Sequence, residues 1–184
     1  MAIEEAAYTL VRRDHAFELR DYPPHLLAET IVEGDLEGAG NKAFTRLFRY
    51  ISGHNRPGVK LAMTAPVSQE PARQKIRMTA PVGQEPVPEG WAVSFMMPTS
   101  FSLETLPEPD DPAVRLRQVP ARRIAAVRYA GTWSEQGYRR HKSELESWIR
   151  KNGWSVAGAA VWARYNAPFI PWFLRRNEVL IPVS

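Results

Sequence analysis

Apolar and polar residues alternate in two rhythms along this 184-residue chain, and the changes of rhythm mark its elements. Residues 15–33 read as two extended segments broken at Tyr22-Pro23-Pro24, the second (Leu26–Glu33) rich in apolar and β-branched residues. Gly34 and Asp35 then supply a helix start, and apolar residues at 36, 39, 43, 44, 47, 48 and 51 fall on one helical stripe. Gly53 ends that helix, at about 17 residues and about 25 Å. The turn-rich run from His54 to Gly58 follows. Two strands with clean alternation come next: Val59, Leu61, Met63, Ala65 and Val67 share one face, as do Ile76, Met78, Ala80 and Val82. Each ends in the same string, Met63-Thr64-Ala65-Pro66-Val67 and Met78-Thr79-Ala80-Pro81-Val82, so a tandem β-hairpin is predicted with its prolines near strand ends, at an edge or at bulges. Trp91, Val93, Phe95 and Met97 make a further strand, and Pro98–Pro112 is a proline-rich connector.

The second half repeats the order. Val114 and Leu116 alternate in a strand, Pro120 makes a turn, and Ile124–Ala130 is a strand closed by Gly131. Thr132 or Ser134 caps a second helix whose stripe is Tyr138, His141, Leu145, Trp148 and Ile149, ended by Asn152-Gly153. Val156–Tyr165 and Glu178–Val183 close the chain as strands. One strand–helix–strand half leaves the apolar face of its sheet uncovered; two complete a curved sheet or distorted barrel with the helices packed on it. The prediction is therefore a single α+β domain over 1–184, made of two pseudo-two-fold halves at about 15–98 and 113–184.

Composition narrows the chemistry. The chain has no cysteine, which removes disulfides, thiolate metal sites, iron–sulfur clusters and cysteine nucleophiles. No apolar run reaches membrane-spanning length, and the N-terminus lacks a secretory pattern, so a soluble cytoplasmic protein is expected. A net charge of +4 comes from scattered arginine pairs rather than a basic run, which argues against nucleic-acid binding and allows attraction to anionic ligands.

Several strings in order resemble the SOUL haem-binding family. They are Phe17-Glu18-Leu19-Arg20-Asp21-Tyr22, Phe48–Gly53 with Asn55, both Met-Thr-Ala-Pro-Val copies, Phe95-Met96-Met97-Pro98, Leu106-Pro107-Glu108-Pro109 and Arg175-Arg176-Asn177-Glu178-Val179. The duplicated string is similar to bacterial members, which implies a bacterial source. The resemblance implies a distorted antiparallel β-barrel of two similar halves flanked by two helices, and a fold related to gyrase-inhibitor-like effector-binding domains. It also implies a haem or other tetrapyrrole site along the first helix and the loop before the last strand, acting as carrier, buffer or sensor. On this chain those positions are Asn41, Lys42, Phe44, Leu47, Phe48 and Ile51, then Phe169, Trp172 and Phe173 in the loop Pro168–Leu174, then Arg175 and Arg176.

Physically the aromatics can wall a flat apolar ligand, and Lys42, Arg46, Arg175 or Arg176 can meet its carboxylates. Core packing is the other role open to the helix residues. The loop carries two prolines and five apolar side chains, a composition suited to covering a ligand, a protein partner or the barrel's own mouth. For iron, His54 is the candidate beside the groove; His25 is nearest to the position of a family member's ligand, and His141 sits on a helix stripe, where a hydrogen-bonded core role fits. Two further functions stay open. Glu178, buried among aromatics, is a general base in a hydrolase reading, or else it pairs with a neighbouring arginine. The Pro168–Leu174 loop is an interaction surface in a third reading.

Overall fold

The computed structural model describes residues 4–57, 73–167 and 169–184. The strand expected at Val59–Val67, its half of the tandem hairpin and Pro168 lie outside the described residues. Along the chain run β1 (Glu4–Glu5), β2 (Thr9–Asp14), β3 (Phe17–Tyr22), β4 (His25–Val32), α1 (Leu36–Ile51), β5 (Asn55–Arg56), β6 (Thr79–Ala80), β7 (Val82–Val87) and β8 (Gly90–Met96). They are followed by β9 (Glu108–Pro109), β10 (Arg115–Val119), β11 (Arg122–Tyr129), α2 (Glu135–Lys151), β12 (Val161–Arg164), a single 3-10 turn (Trp172–Leu174) and β13 (Asn177–Pro182).

Nine strands form one antiparallel sheet in the order β10-β4-β8-β7-β12-β13-β11-β3-β2. The order has an internal correspondence: β10-β4-β8-β7 on one side of the β7–β12 seam is matched by β3-β11-β13-β12 on the other. Each helix follows the equivalent strand, α1 after β4 and α2 after β11. β3 and β4 are consecutive in sequence yet belong to opposite sides, because β3 pairs with β11 while β4 pairs with β10. The α+β class with two helices on an antiparallel sheet is therefore as expected; the sheet, as described, is open rather than closed into a barrel.

Both helices form where the periodicity places them, for local reasons. Gly34 and Gly131 precede them with φ of +124° and +141°, conformations that disfavour a side chain. Asp35 accepts a 2.6 Å hydrogen bond from the Gly38 amide and Ser134 a 3.2 Å bond from Gly137, each satisfying an orphan first-turn donor. α1 buries Ala39, Ala43, Leu47, Tyr50 and Ile51 against Ala28, Val93 and Phe95. α2 buries Tyr138, Leu145, Trp148 and Ile149 against Leu19, Ala125, Val127, Trp162 and Val179. Each large apolar side chain so enclosed contributes about 1.5–3 kcal/mol.

Three strand expectations change. The run Ile76–Val82 is irregular up to Met78, β6 covers only Thr79–Ala80, and the long strand begins after Pro81. Pro81 has no amide to continue a ladder, and the chain moves from pairing with β1 to pairing with β8 across it. Val156–Tyr165 shortens to an isolated Val156–Val183 bridge and β12, because Ala157 instead donates to the Pro182 carbonyl at 2.8 Å. β2 was not expected: it is an edge strand exposed along nearly its whole length, so it carries no one-sided apolar alternation. No helix among the described residues is long and apolar enough to cross a membrane.

Candidate functional site

The connection from β12 to β13 is closed at its base by side chains and left open at its tip. Asn166 accepts from the Arg176 amide at 2.6 Å, and Arg175 Nε donates to the Ile170 carbonyl at 2.7 Å. Between these ties the apolar residues face outward: Phe169 is 84 % exposed, Trp172 58 %, Phe173 59 % and Leu174 65 %. Trp172 and Phe173 meet edge to face at 5.6 Å. Among the described residues nothing packs over these four large apolar side chains enough to cover them.

Phe173 and Leu174 form one wall of a cleft of about 570 Å³. Its other walls are Arg13, His15 and Glu18 from the β2–β3 hairpin, Arg128 and Tyr129 from the end of β11, and Arg175 and Arg176. Arg13 is bound to Glu18 at 2.5 Å and Arg176 to Glu5 at 2.8 Å, whereas the Arg128 side chain, exposed, has no ion-pair partner among the described residues. The cleft thus pairs an apolar wall with a rim of guanidinium groups.

Beneath Arg176 lies a buried charge network. Glu178 is fully buried, and its carboxylate receives Arg20 through two bonds of 2.7 and 2.9 Å, Arg176 Nη2 at 2.9 Å and the Tyr165 hydroxyl at 2.8 Å. Burial alone would raise the Glu178 carboxyl; the hydrogen bonds and charges of Arg20 and Arg176 outweigh it and hold the group below the usual carboxylate range. Such a group stays ionised and has every lone pair engaged, so the general-base role considered for Glu178 finds no support here, and the arginine pairing is what the structure has.

The sequence candidates on α1 separate into two groups. Asn41, Lys42 and Phe48 are exposed, and Phe44 is half-buried, stacked on Phe48 at 5.9 Å and edge-on to Phe95 at 5.3 Å. Leu47 and Ile51, expected at a ligand groove, are core residues instead, 0 % and 3 % exposed, because they lie on the stripe that α1 turns to the sheet. His54 is exposed and its Nδ1 lies 3.1 Å from the Arg49 carbonyl at the end of α1. His141 stacks on Tyr129 at 3.9 Å and lies 2.8 Å from Glu144, a packed and paired residue as expected.

Arg13, His15 and Arg128 were missed by sequence reasoning. They come from a strand with no apolar periodicity, from the turn after it and from a strand end 114 residues later than Asp14 in the chain, so only the β3–β11 pairing brings them together at the loop. A second groove, about 690 Å³ and lined by Pro23, Pro24, His25, Met96, Met97 and Phe101 among others, lies beside the start of β4. His25 Nδ1 there is 3.0 Å from the Pro23 carbonyl, and burial lowers the imidazole's pKa.

Comparison with known proteins bears on the fold and the family. Structurally, the chain is similar to the C-terminal domain of EcmrR, with a TM-score of 0.59, 13 % identity and coverage of 96 % of this chain and 98 % of that one. It is also similar to a hydrolase from Listeria innocua, with a TM-score of 0.62, 14 % identity and coverage of 95 % and 94 %. At these identities the likeness is one of fold. In sequence it is 24 % identical over 150 residues to Heme-binding protein 1 of Mus musculus, covering 81 % of this chain and 74 % of the mouse protein. The profile of the SOUL heme-binding protein family matches residues 3–182, nearly the whole chain, and the chain belongs to that family.

Proposed function

We propose that this protein binds haem or a related tetrapyrrole against the exposed loop 169–174, with the ligand's edge in the cleft between that loop and the β2–β3 hairpin, and serves as a carrier, buffer or sensor. The observation that carries the reading is the outward-facing set Phe169, Trp172, Phe173 and Leu174 beside a cleft rimmed by Arg13, Arg128 and Arg175. A porphyrin has two flat apolar faces and two carboxylates on one edge. Stacked aromatics suit the faces and guanidinium groups suit the carboxylates. A cleft of about 570 Å³ is within the ordinary range for small-molecule sites. Family membership and the mouse relative's name support the same ligand class.

The residues present fit the group on chemistry as well as size. Haem would bring a Lewis-acidic, redox-active iron. This chain's own residues would meet the macrocycle through Trp172 and Phe173, one ring against its face and the other edge-on, fix its orientation through Arg128 and Arg175, and hold the loop's base closed through Asn166 and Arg176. The buried Glu178–Arg20 pair acts at one remove, keeping Arg176 in place under the cleft.

The test is a hemin titration of the purified protein followed by absorbance and tryptophan quenching. The wild type should give a saturable one-to-one transition with a shifted Soret band, and the Trp172→Ser/Phe173→Ser double variant should lose it while keeping its fold. Undiminished affinity in that variant sinks the loop site. The apolar face of the wild-type loop would then favour the protein-interaction reading, for which the same four exposed side chains are the observation.

A further inference from the structure

The tip of the β2–β3 hairpin carries a histidine set up unlike any other in the described residues. Asp14 pairs with Phe17, leaving His15 and Ala16 as a two-residue turn. His15 takes the first of these places with a φ of +54°, the one non-glycine residue with positive φ among the described residues. A glycine would occupy this place without steric cost. Histidine tolerates it better than most residues, and local strain of this kind concentrates at functional sites.

The imidazole is also oriented. His15 Nδ1 lies 2.9 Å from Asp14 Oδ1, and the other oxygen of the same carboxylate accepts from Trp148 Nε1 at 2.9 Å. Asp14 thus accepts from Trp148 with one oxygen and faces His15 Nδ1 with the other, and a carboxylate so engaged accepts, which places the ring proton on Nδ1. That leaves Nε2 with its lone pair, and it has no partner among the described residues. The ring is 94 % exposed, yet it lines the same cleft as Phe173, Leu174, Arg128 and Arg175. A carboxylate-bound Nδ1–H with a free Nε2 is the arrangement that orients a metal-ligating histidine and raises its basicity.

We propose that His15 Nε2 is the axial ligand to the iron of a haem seated in the loop cleft, with Asp14 and Trp148 as the residues that position it. This rests on the tetrapyrrole reading above. The step is formation of one coordinate bond from the Nε2 lone pair to iron, with no change of oxidation state and no proton released, because Nδ1 already carries the proton. His25 and His54 then have no part in ligation.

The experiment compares hemin with iron-free protoporphyrin IX on the wild type, His15→Ala, His25→Ala and His54→Ala. Only hemin can gain from an axial ligand, so the wild type should bind hemin at least tenfold more tightly than protoporphyrin IX. His15→Ala should abolish that preference and shift the Soret band toward that of unligated hemin, with protoporphyrin affinity unchanged. Asp14→Ala should weaken the preference several-fold while keeping a histidine-ligated spectrum. An unchanged hemin spectrum in His15→Ala, or a change confined to His25→Ala or His54→Ala, overturns the proposal while leaving tetrapyrrole binding intact. Failure of the wild type to bind either porphyrin overturns the binding reading and this inference together. Circular dichroism of His15→Ala separates loss of ligation from loss of fold; replacement at an exposed turn is expected to leave the melting temperature within a few degrees of wild type.

Discussion

Arg20 and Glu178 stand 158 residues apart in sequence and are joined by two parallel hydrogen bonds of 2.7 and 2.9 Å with neither side chain exposed by more than 2 %. The pair ties β3 to β13 across the intervening β11, and Glu178 has Arg176 and Tyr165 as further partners. Removing the charge of Glu178 leaves two guanidinium groups without their shared counter-ion. Glu178→Gln, although isosteric, should therefore lower the unfolding free energy by about 3–5 kcal/mol, read from urea denaturation. A loss below about 1 kcal/mol would show that the network contributes little.

The same network fixes the response to acid. Glu178 is held below its ordinary value of 4.5 by Arg20 and Arg176 against the opposing effect of burial. Burial likewise opposes, and Arg20 and Arg13 produce, a lowered value at Glu18. A carboxyl with a depressed folded pKa contributes stability that is fully present above its unfolded pKa and is lost as pH falls through the folded one. The contribution of these groups should thus be complete and independent of pH between pH 6 and 8 and should fall progressively below about pH 4.5. Urea midpoints measured from pH 7 to pH 2 check this, and Glu178→Gln should flatten the acid limb.

Arg164 offers a test of packing around a buried cation. It is 9 % exposed, lies over the rings of Trp133 and Trp162 at 5.2 and 5.1 Å, and donates to Gln84 at 3.2 Å with no carboxylate partner among the described residues. Burial pulls its pKa down to about 10. It fits because α1 has a glycine there: a Cβ at Gly40 would sit 2.5 Å from Nη2 and 3.0 Å from Nη1. In an ordinary helix interior Gly→Ala gains about 1 kcal/mol. Here Gly40→Ala should instead cost about 1–3 kcal/mol. Arg164→Met should be neutral or stabilising, and in that background Gly40→Ala should recover its usual gain. A double-mutant cycle by thermal unfolding measures the coupling directly.

The helices, the strands with one buried face and the pairing of Glu178 with its neighbour Arg176 were legible in the sequence because each rests on local periodicity or on near neighbours, whereas the Arg20 partner, 158 residues away, was not. Leu36, Ala39, Ala43 and Leu47 announce both α1 and the face it buries, and the Gly34-Asp35 start is written in two residues. The cleft was legible only on its loop side. Its other wall comes from Arg13 on an edge strand without apolar alternation, from His15 in the turn after that strand and from Arg128, joined to the loop by the β3–β11 and β11–β13 pairings. The β3–β11 pairing joins the first sequence half to the second, and no short-range pattern records it. Pro81 falls between strand ends, as expected of it, but the Ile76–Val82 strand was drawn too long for a related reason: alternation continues through the proline while the ladder partner changes.

α1 separates residues that hold the fold from residues that can meet a ligand, and two neighbouring positions show it. Leu47 is fully buried among Ala43, Ile51 and Phe95, whereas Phe48 one position on is 47 % exposed and touches Phe44. Leu47→Ala removes buried methyl groups and leaves a cavity, and should cost about 2–5 kcal/mol. Phe48→Ser should change stability by no more than about 0.5 kcal/mol. The hemin isotherms distinguish two arrangements. If the macrocycle lies only over the 169–174 loop, Phe48→Ser should bind as tightly as wild type at temperatures where both are folded. If it reaches α1, affinity should fall several-fold with the Soret position unchanged, since loss of a stacking face alters occupancy and not the iron ligand. Leu47→Ala should bind as wild type in either arrangement once unfolded protein is accounted for, because a side chain with no exposed surface makes no contact that the ligand can gain.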